Sequence, residues 1–172
     1  MAEDVAHFIE QHRLTEPTLI GHSMGAKTAM TLALRSPDLI RDIVSVDNAP
    51  IDAALLGSFA KYIQGMKKIE QQGVTRQGEA DRILAEYEEI LGTGLDNLGD
   101  FPYKNPDEKR FNKPALFVRG TKSHYVADEA IPIIGRFFPK FELVDIEAGH
   151  WVISEQPEAF RKAVVEFLKP KE

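Results

Sequence analysis

Apolar residues along this chain alternate between two spacings. Short runs rich in β-branched residues, at 17–20, 42–47, 114–120 and 142–146, predict buried strands. The stretches around them, at about 3–12, 24–36, 128–138 and 157–168, carry apolar residues three and four positions apart and predict amphipathic helices. Strands that alternate with helices predict an α/β architecture with a mainly parallel sheet.

One long stretch, from about residue 51 to residue 91, is helical in pattern and contains no predicted strand. Its first apolar face comprises Leu55, Phe59, Ile63, Met66 and Ile69, and its second comprises Ile83, Leu84, Tyr87, Ile90 and Leu91. Gly73 and Gly78 are predicted to separate the two helices. A helical pair between two strands predicts a lid or cap over 51–100, with a plain packing role as the alternative. Residues 92–113, rich in Gly, Asp, Asn and Pro, predict a loop.

The first strand runs directly into Gly21-His22-Ser23-Met24-Gly25 and then into an alanine-rich helix. A serine between two glycines at a strand-to-helix junction is typical of a nucleophile elbow, since the tight turn needs neighbours without bulk. Ser23 is therefore the candidate nucleophile, against the alternative of an ordinary loop serine. The backbone N–H of Met24, at the start of the helix, is the candidate oxyanion donor.

A serine nucleophile needs a base, and in folds with such an elbow the base is a histidine late in the chain. His150 follows the last predicted strand and begins a loop after Gly149, so it is the first candidate. His124, in an earlier loop, is the reserve. His22 is expected to pack beside the elbow, and His7 and His12 to face solvent.

The acid that orients the histidine has two candidates. Asp47 lies at the carboxyl end of the strand after the elbow helix, where side chains of a parallel sheet point to the active edge. Asp128 follows the next strand, but it stands at a predicted helix start, where capping would explain it. Asp47 is preferred, with the role of holding the imidazole of His150 in the required tautomer.

Composition limits the partners and the kind of chemistry. The chain has 172 residues, enough for one domain with a buried core, and its 27 acidic and 21 basic residues give a net charge of −6. Without a basic cluster, nucleic acid is an unexpected partner. Cysteine is absent, no apolar run is long enough to span a bilayer, and the acidic first residues are unlike a targeting segment. The histidines are scattered, which disfavours a metal-dependent hydrolase, and no cofactor is expected.

Three segments carry a family resemblance. Gly21–Gly25 with Lys27–Met30 behind it, Val46-Asp47 before Asn48-Ala49-Pro50, and Ala148–Trp151 resemble the α/β-hydrolase family. More narrowly, they are similar to abhydrolase-domain esterases of mitochondria and fungi that include ethanol acetyltransferases. The resemblance spans about residues 3–168 and implies Ser23 as nucleophile, Asp47 as acid and His150 as base. It also implies hydrolysis of small-molecule esters or thioesters, acyl transfer to an alcohol in some members, and a mitochondrial location, with a cytoplasmic one as the alternative.

The chain departs from that family pattern ahead of the elbow. Family members have several strands and a His-Gly oxyanion loop there, whereas this elbow begins at residue 21. Residues 1–172 are thus expected to form the C-terminal portion of the fold, with the second half of its sheet. We also expect a missing second oxyanion donor, a shortened lid near 91–94, and an exposed sheet edge that a partner or oligomer covers. The chain would be a fragment or truncated product, or would need a partner. The alternative function is a catalytically impaired scaffold or binding module.

Overall fold

The computed structural model describes residues 1–52, 58–86 and 100–170, and only the backbone at 58–63, 81 and 84–86. The strands, in chain order, are β1 (Thr18–His22), β2 (Asp42–Val46), β3 (Ala115–Gly120) and β4 (Phe141–Ile146). The helices are α1 (Ala2–Gln11), α2 (Met24–Arg35), α3 (Ser58–Gln71), α4 (Gln77–Glu86), α5 (Ile131–Phe137), α6 (Val152–Glu155) and α7 (Pro157–Leu168). No helix among these described residues is long and apolar enough to cross a membrane.

The chain divides into two compact units, one formed by Met1–Ile51 with Phe101–Glu172 and the other by Asp52–Asp100. The first unit holds a four-stranded sheet in the order β1-β2-β3-β4, and every neighbouring pair is parallel. The predicted α/β architecture with a parallel sheet is confirmed. Because the strands are parallel and in sequential order, their carboxyl ends lie along one edge, where the following loops gather.

The two faces of the sheet pack against different helices. Alternate residues of the strands point to opposite faces, so Ile43 and Phe117 join the core that includes residues of α1, α2 and α5. Val44 and Leu116 join the other core, which includes residues of α7. The β-branched run of β2 is buried at every position, as expected for a central strand covered on both faces.

Strand β1 forms one edge of the described sheet. It pairs with β2, and no other described strand pairs with it. Ile20 on this strand is 52% exposed. A groove of about 570 Å³ runs beside it, lined by Met1, Val5, Leu19, Ile20, Gly25, Ala29 and their neighbours. The predicted exposed edge is therefore present, and a partner that covers it stays a prediction.

The second unit contains α3 and α4, joined by a turn in which Gly73 has a φ of 61°. Gly78 lies inside α4, so the prediction that it separates the helices is wrong. Met66, predicted on the first apolar face, is 54% exposed, while Ile83 of the second face is buried. The other predicted face residues, apart from half-buried Ile69, lie outside the described side chains. The lid role of 51–100 stays a prediction.

Candidate active site

The predicted elbow forms where β1 meets α2. Ser23 is the residue between them and has a φ of 55° and a ψ of −117°, a backbone conformation that L-residues rarely adopt. Its N–H donates to the carbonyl of Val46 at 3.0 Å. A Cβ at Gly21 would lie 2.2 Å from the carbonyl oxygen of Gly25, so only glycine fits there. A Cβ at Gly25 would meet no described atom within 4 Å, so steric need accounts for the first glycine and not the second.

Asn48 holds this turn in place. Its Nδ2 donates to the carbonyl of Ser23 at 2.9 Å, and its Oδ1 accepts the N–H of Ala49 at 2.9 Å. The hydroxyl of Ser45 in turn donates to the carbonyl of Asn48 at 3.0 Å. Asn48, which the sequence analysis named only as part of the family resemblance, thus connects the backbone of the candidate nucleophile to the segment that follows the neighbouring strand.

The structure brings the three predicted side chains together. The Nε2 atom of His150 lies 2.9 Å from the Oγ of Ser23, and its Nδ1 lies 2.7 Å from the Oδ2 of Asp47. The residues are 127 and 103 positions apart in sequence, respectively. Ser23 follows β1, Asp47 follows β2 and His150 follows β4, so all three lie at the same edge of the sheet. Met24 begins α2, and the first N–H groups of a helix have no acceptor within that helix, so its N–H stays the candidate donor to a bound oxyanion.

The carboxylate of Asp47 is fully buried. The residue has a φ of 49°, and its N–H donates to the carbonyl of Val118 at 2.8 Å. Its Oδ1 accepts the N–H of Gly120 at 3.0 Å. A Cβ at Gly120 would lie 2.2 Å from the carbonyl oxygen of Gly149, so glycine is needed for the His150 loop to approach the end of β3.

Ser123 is a site residue that the sequence reasoning did not assign. Its Oγ donates to the Oδ2 of Asp47 at 2.5 Å, the same oxygen that faces Nδ1 of His150. The sequence offered one signal: the loop after β3 carries no carboxylate near the strand end, only Thr121-Lys122-Ser123. A hydroxyl at that position supports an acid that comes from the neighbouring strand.

The alternative acid lies elsewhere. Asp128 is exposed and its Oδ1 accepts a hydrogen bond of 2.5 Å from Arg119. The same guanidinium donates twice to Asp145, and these hydrogen bonds hold the pKa of the Asp145 carboxyl below its ordinary value. Asp128 therefore belongs to a surface ion-pair network that joins β3, β4 and the turn before α5.

Of the remaining histidines, three are exposed and His22 packs beside the elbow, where it also makes a hydrogen bond that the sequence did not predict. His7, His12 and His124 are exposed. His22 packs beside the elbow, with its ring centroid 4.7 Å from that of His150, and its Nε2 also lies 2.7 Å from the carbonyl oxygen of His150. A carbonyl oxygen only accepts, so Nε2 of His22 must carry a proton.

Aromatic rings surround the imidazole of His150. The ring of Tyr125 stacks on it, with a centroid distance of 4.1 Å and an interplanar angle of 25°. The indole of Trp151 meets it at 5.7 Å and is 64% exposed. The imidazole thus has one stacked and one edge-on aromatic neighbour, while its two nitrogens face Ser23 and Asp47.

Comparison with known proteins agrees with this architecture. The model of the alpha/beta hydrolase fold family matches residues 1–82. An abhydrolase domain-containing protein of Schizosaccharomyces pombe is 32% identical over 98% of this chain and 73% of its own length. The chain belongs to the α/β-hydrolase family. A probable alcohol acetyltransferase of Saccharomyces cerevisiae is 38% identical over the whole of this chain, which spans 63% of that relative.

A solved structure, that of a marine microorganism esterase, superposes on the chain with a TM-score of 0.85 at 28% identity. The match covers 97% of this chain and 76% of the esterase. The predicted family, and a partial fold in which a parallel sheet is flanked by helices, are both confirmed. The chain thus spans between about three fifths and three quarters of the length of these relatives.

Proposed function

We propose that this protein is a serine hydrolase of carboxylic esters or thioesters that works through a covalent acyl-enzyme. The observation that carries the proposal is the unbroken line of hydrogen bonds from Asp47 through His150 to Ser23, at 2.7 and 2.9 Å. These distances already lie in the range required for proton transfer. The strained backbone of Ser23 supports the same role, because strain of this kind is concentrated at functional sites.

In the first half of the proposed reaction, the Oγ of Ser23 attacks the acyl carbon of the substrate. Its proton moves to Nε2 of His150 as the new C–O bond forms. Asp47 accepts the hydrogen bond from Nδ1 and stabilises the imidazolium. When the tetrahedral intermediate collapses, the bond to the alcohol or thiol breaks, and His150 returns the proton to that leaving group. The product of this half is an ester on Ser23.

In the second half, water attacks the acyl carbon as it gives a proton to Nε2 of His150. When this second tetrahedral intermediate collapses, the bond from the acyl carbon to Oγ of Ser23 breaks and His150 returns the proton to Oγ. The acid is released and Ser23 is restored. An alcohol in place of water would yield a new ester by the same steps. The name of the Saccharomyces cerevisiae relative, a probable alcohol acetyltransferase, supports including this second acceptor. The N–H of Met24 is proposed to stabilise the negative oxygen of both intermediates.

A mitochondrial location and a partner at the β1 edge remain predictions from the family resemblance.

A fluorophosphonate probe that forms a covalent bond with an activated serine tests the proposal. Labelling of the folded protein, its loss in Ser23→Ala and its retention in Ser36→Ala, a matched serine away from the site, would support it. Labelling that persists in Ser23→Ala would contradict the assignment. A folded protein that does not label would favour the alternative of a scaffold or binding module. Hydrolysis of an acetyl ester with added ethanol, with acetate and ethyl acetate both quantified, then separates the two acceptors.

A further inference from the structure

The backbone on both sides of His150 is held by one carboxylate. Oε2 of Glu155 accepts the N–H of Gly149 at 2.7 Å, and Oε1 accepts the N–H of Trp151 at 3.2 Å. Glu155 is the last residue of the short helix α6, so its side chain reaches back over one turn to the loop that precedes the helix. The two oxygens of one side chain thus bracket the residue that carries the candidate base.

The peptide group of His150 has its own support on the opposite side. Nε2–H of His22 donates to the carbonyl of His150 at 2.7 Å. His22 belongs to β1 and immediately precedes Ser23. The carbonyl of His150 is therefore tied to the same turn that carries the candidate nucleophile.

We infer that Glu155 and His22 are positioning residues that fix the imidazole of His150 between Ser23 and Asp47. This inference rests on the proposed function, because it assigns a task to these residues in that proton path. The path requires two hydrogen bonds to form at once, on nitrogens at opposite sides of one ring. A shift of about 1 Å in such a group can cost up to about 10²-fold in rate.

The bond that Glu155 accepts from Gly149, at 2.7 Å, has the length of a charge-assisted hydrogen bond, a class stronger than neutral bonds. The bond that it accepts from Trp151 is longer, at 3.2 Å, and supplies the second point of attachment. The two bonds also resist rotation of the loop. A single bond would leave residue 150 free to pivot, whereas bonds at 149 and 151 fix the chain direction on either side. A close fit is visible at Gly149, where a Cβ would lie 3.0 Å from Oε1 of Glu155.

A structural alternative must be separated from this role. A carboxylate that accepts N–H groups just before a helix also caps that helix. Capping of α6 alone would lower the free energy of unfolding when removed, and would leave the proton path unchanged once the protein is folded. The experiment therefore needs measurements that capping does not alter.

The variants for the test are Glu155→Ala, Glu155→Gln and Glu158→Ala. Alanine removes both acceptors, while glutamine keeps one oxygen and replaces the other with an N–H donor. Glu158 is the matched control, an exposed carboxylate on α7 that pairs with Arg161. We expect Glu155→Ala to lower the rate of fluorophosphonate labelling and kcat on an acetyl ester by about 10- to 100-fold, with KM nearly unchanged. Glu155→Gln should lie between, and Glu158→Ala should match the unmodified protein.

His22 provides an independent arm. His22→Gln places an amide N–H where Nε2 stood and should keep most of the rate. His22→Leu removes the donor and should lower kcat as Glu155→Ala does. Equal losses in the two His22 variants would contradict a role for this hydrogen bond.

The geometry can also be observed without catalysis. The proton on Nδ1 of His150, in its short bond to Asp47, should give a low-field NMR resonance that shifts or disappears in Glu155→Ala. An unchanged resonance, together with a labelling rate within twofold of the unmodified protein, would overturn the inference. Because this resonance does not depend on turnover, it still decides the role of Glu155 if the Ser23→Ala test refutes the proposed reaction.

Discussion

Strand β2 has a buried aspartate at each end, and the two carboxylates have different surroundings. Asp47, just after the strand, is fully buried and accepts hydrogen bonds from Gly120, Ser123 and His150. Asp42, the first residue of the strand, is 7% exposed, and its Oδ2 accepts a bond from Arg41. Its Oδ1 is buried and has no donor among the described residues.

The difference follows from the topology. At the carboxyl edge, the end of β3 and the loops after β3 and β4 converge on Asp47, so three separate segments supply donors. At the amino edge, Asp42 receives its bond from its own neighbour in sequence. Burial of a charge is costly unless it is paired and hydrogen-bonded. The fully partnered carboxylate is the one at the candidate site, which is where a fixed charge can assist a reaction.

The largest contrast is expected between Asp47→Asn and Asp42→Asn. The amide at 47 would favour the wrong tautomer of His150, so kcat/KM on an acetyl ester should fall by about 10³–10⁴. Asp42→Asn should leave kcat/KM within about twofold, since Asp42 lies at the other end of the strand. Steady-state kinetics on both variants measures this. Similar losses of kcat/KM in Asp47→Asn and Asp42→Asn would show that the two ends of β2 do not differ in their role.

The second contrast concerns the close approach that delivers the Gly120 donor. Gly120→Ala would force a Cβ against the carbonyl of Gly149 at 2.2 Å, and we expect the free energy of unfolding to fall by about 2–4 kcal/mol. Gly135→Ala, within α5, is the control. A Cβ at Gly135 would meet only one atom, in the phenyl ring of Phe141, at 3.3 Å. Urea unfolding followed by circular dichroism compares the two. A Gly120→Ala protein as stable as Gly135→Ala would show that the end of β3 can relax.

A smaller effect is expected for Ser123→Ala. Removal of its hydroxyl leaves Asp47 with two of its three donors, and a bond to a charged group contributes about 1.5–3 kcal/mol. We expect kcat/KM to fall by about tenfold, a loss of about 1.4 kcal/mol in the barrier. Ser123→Thr keeps a hydroxyl and should restore most of the rate. If Ser123→Ala had the same kcat/KM as the unmodified protein, the hydrogen bond from Ser123 would have no role in catalysis, and only the bonds from Gly120 and His150 would support Asp47.

The smallest effect belongs to a carboxylate that is largely outside the core. Hydrogen bonds from Arg119 hold the pKa of the Asp145 carboxyl below its ordinary value. The hydrogen bonds between Arg119 and ionised Asp145 therefore contribute fully to the free energy of unfolding at a pH above the pKa of Asp145 in the unfolded chain. This contribution is lost as the pH falls through the lower pKa that Asp145 has in the folded protein. The Asp145 side chain is 45% exposed, so Asp145→Asn should cost at most about 1 kcal/mol at neutral pH. Unfolding curves of both proteins should converge below the folded pKa.

Much of this arrangement could be predicted from the sequence, and for physical reasons. The β-branched runs and the elbow motif placed Ser23 and Asp47 at strand ends, and parallel topology requires those ends to share an edge. His150 followed from its place after the last strand. The preference for Asp47 over Asp128 depended on which strand supplies the acid, and the structure brings Asp47 to the imidazole and Asp128 to a surface arginine.

The supporting side chains could not be predicted in the same way. Ser123 reaches Asp47 through one hydrogen bond, and Glu155 reaches the loop around His150 through two. No periodic pattern in the sequence encodes where such an isolated side chain reaches. Glu155 lies between the loop of His150 and the helix predicted at 157–168, and no motif in the sequence marks its carboxylate. His22 was expected only to pack, because its bond to the carbonyl of His150 depends on the loop's path in three dimensions.

The unit formed by Asp52–Asp100 is inserted between β2 and β3, yet Asp47 and Gly120 are joined directly by a hydrogen bond across 73 positions. The strands on either side of the insertion, β2 and β3, are thus paired with each other within the first unit. Since Ser23, Asp47 and His150 all lie in the first unit, an engineered chain with an insertion of another length should keep the hydrogen bonds that join their side chains.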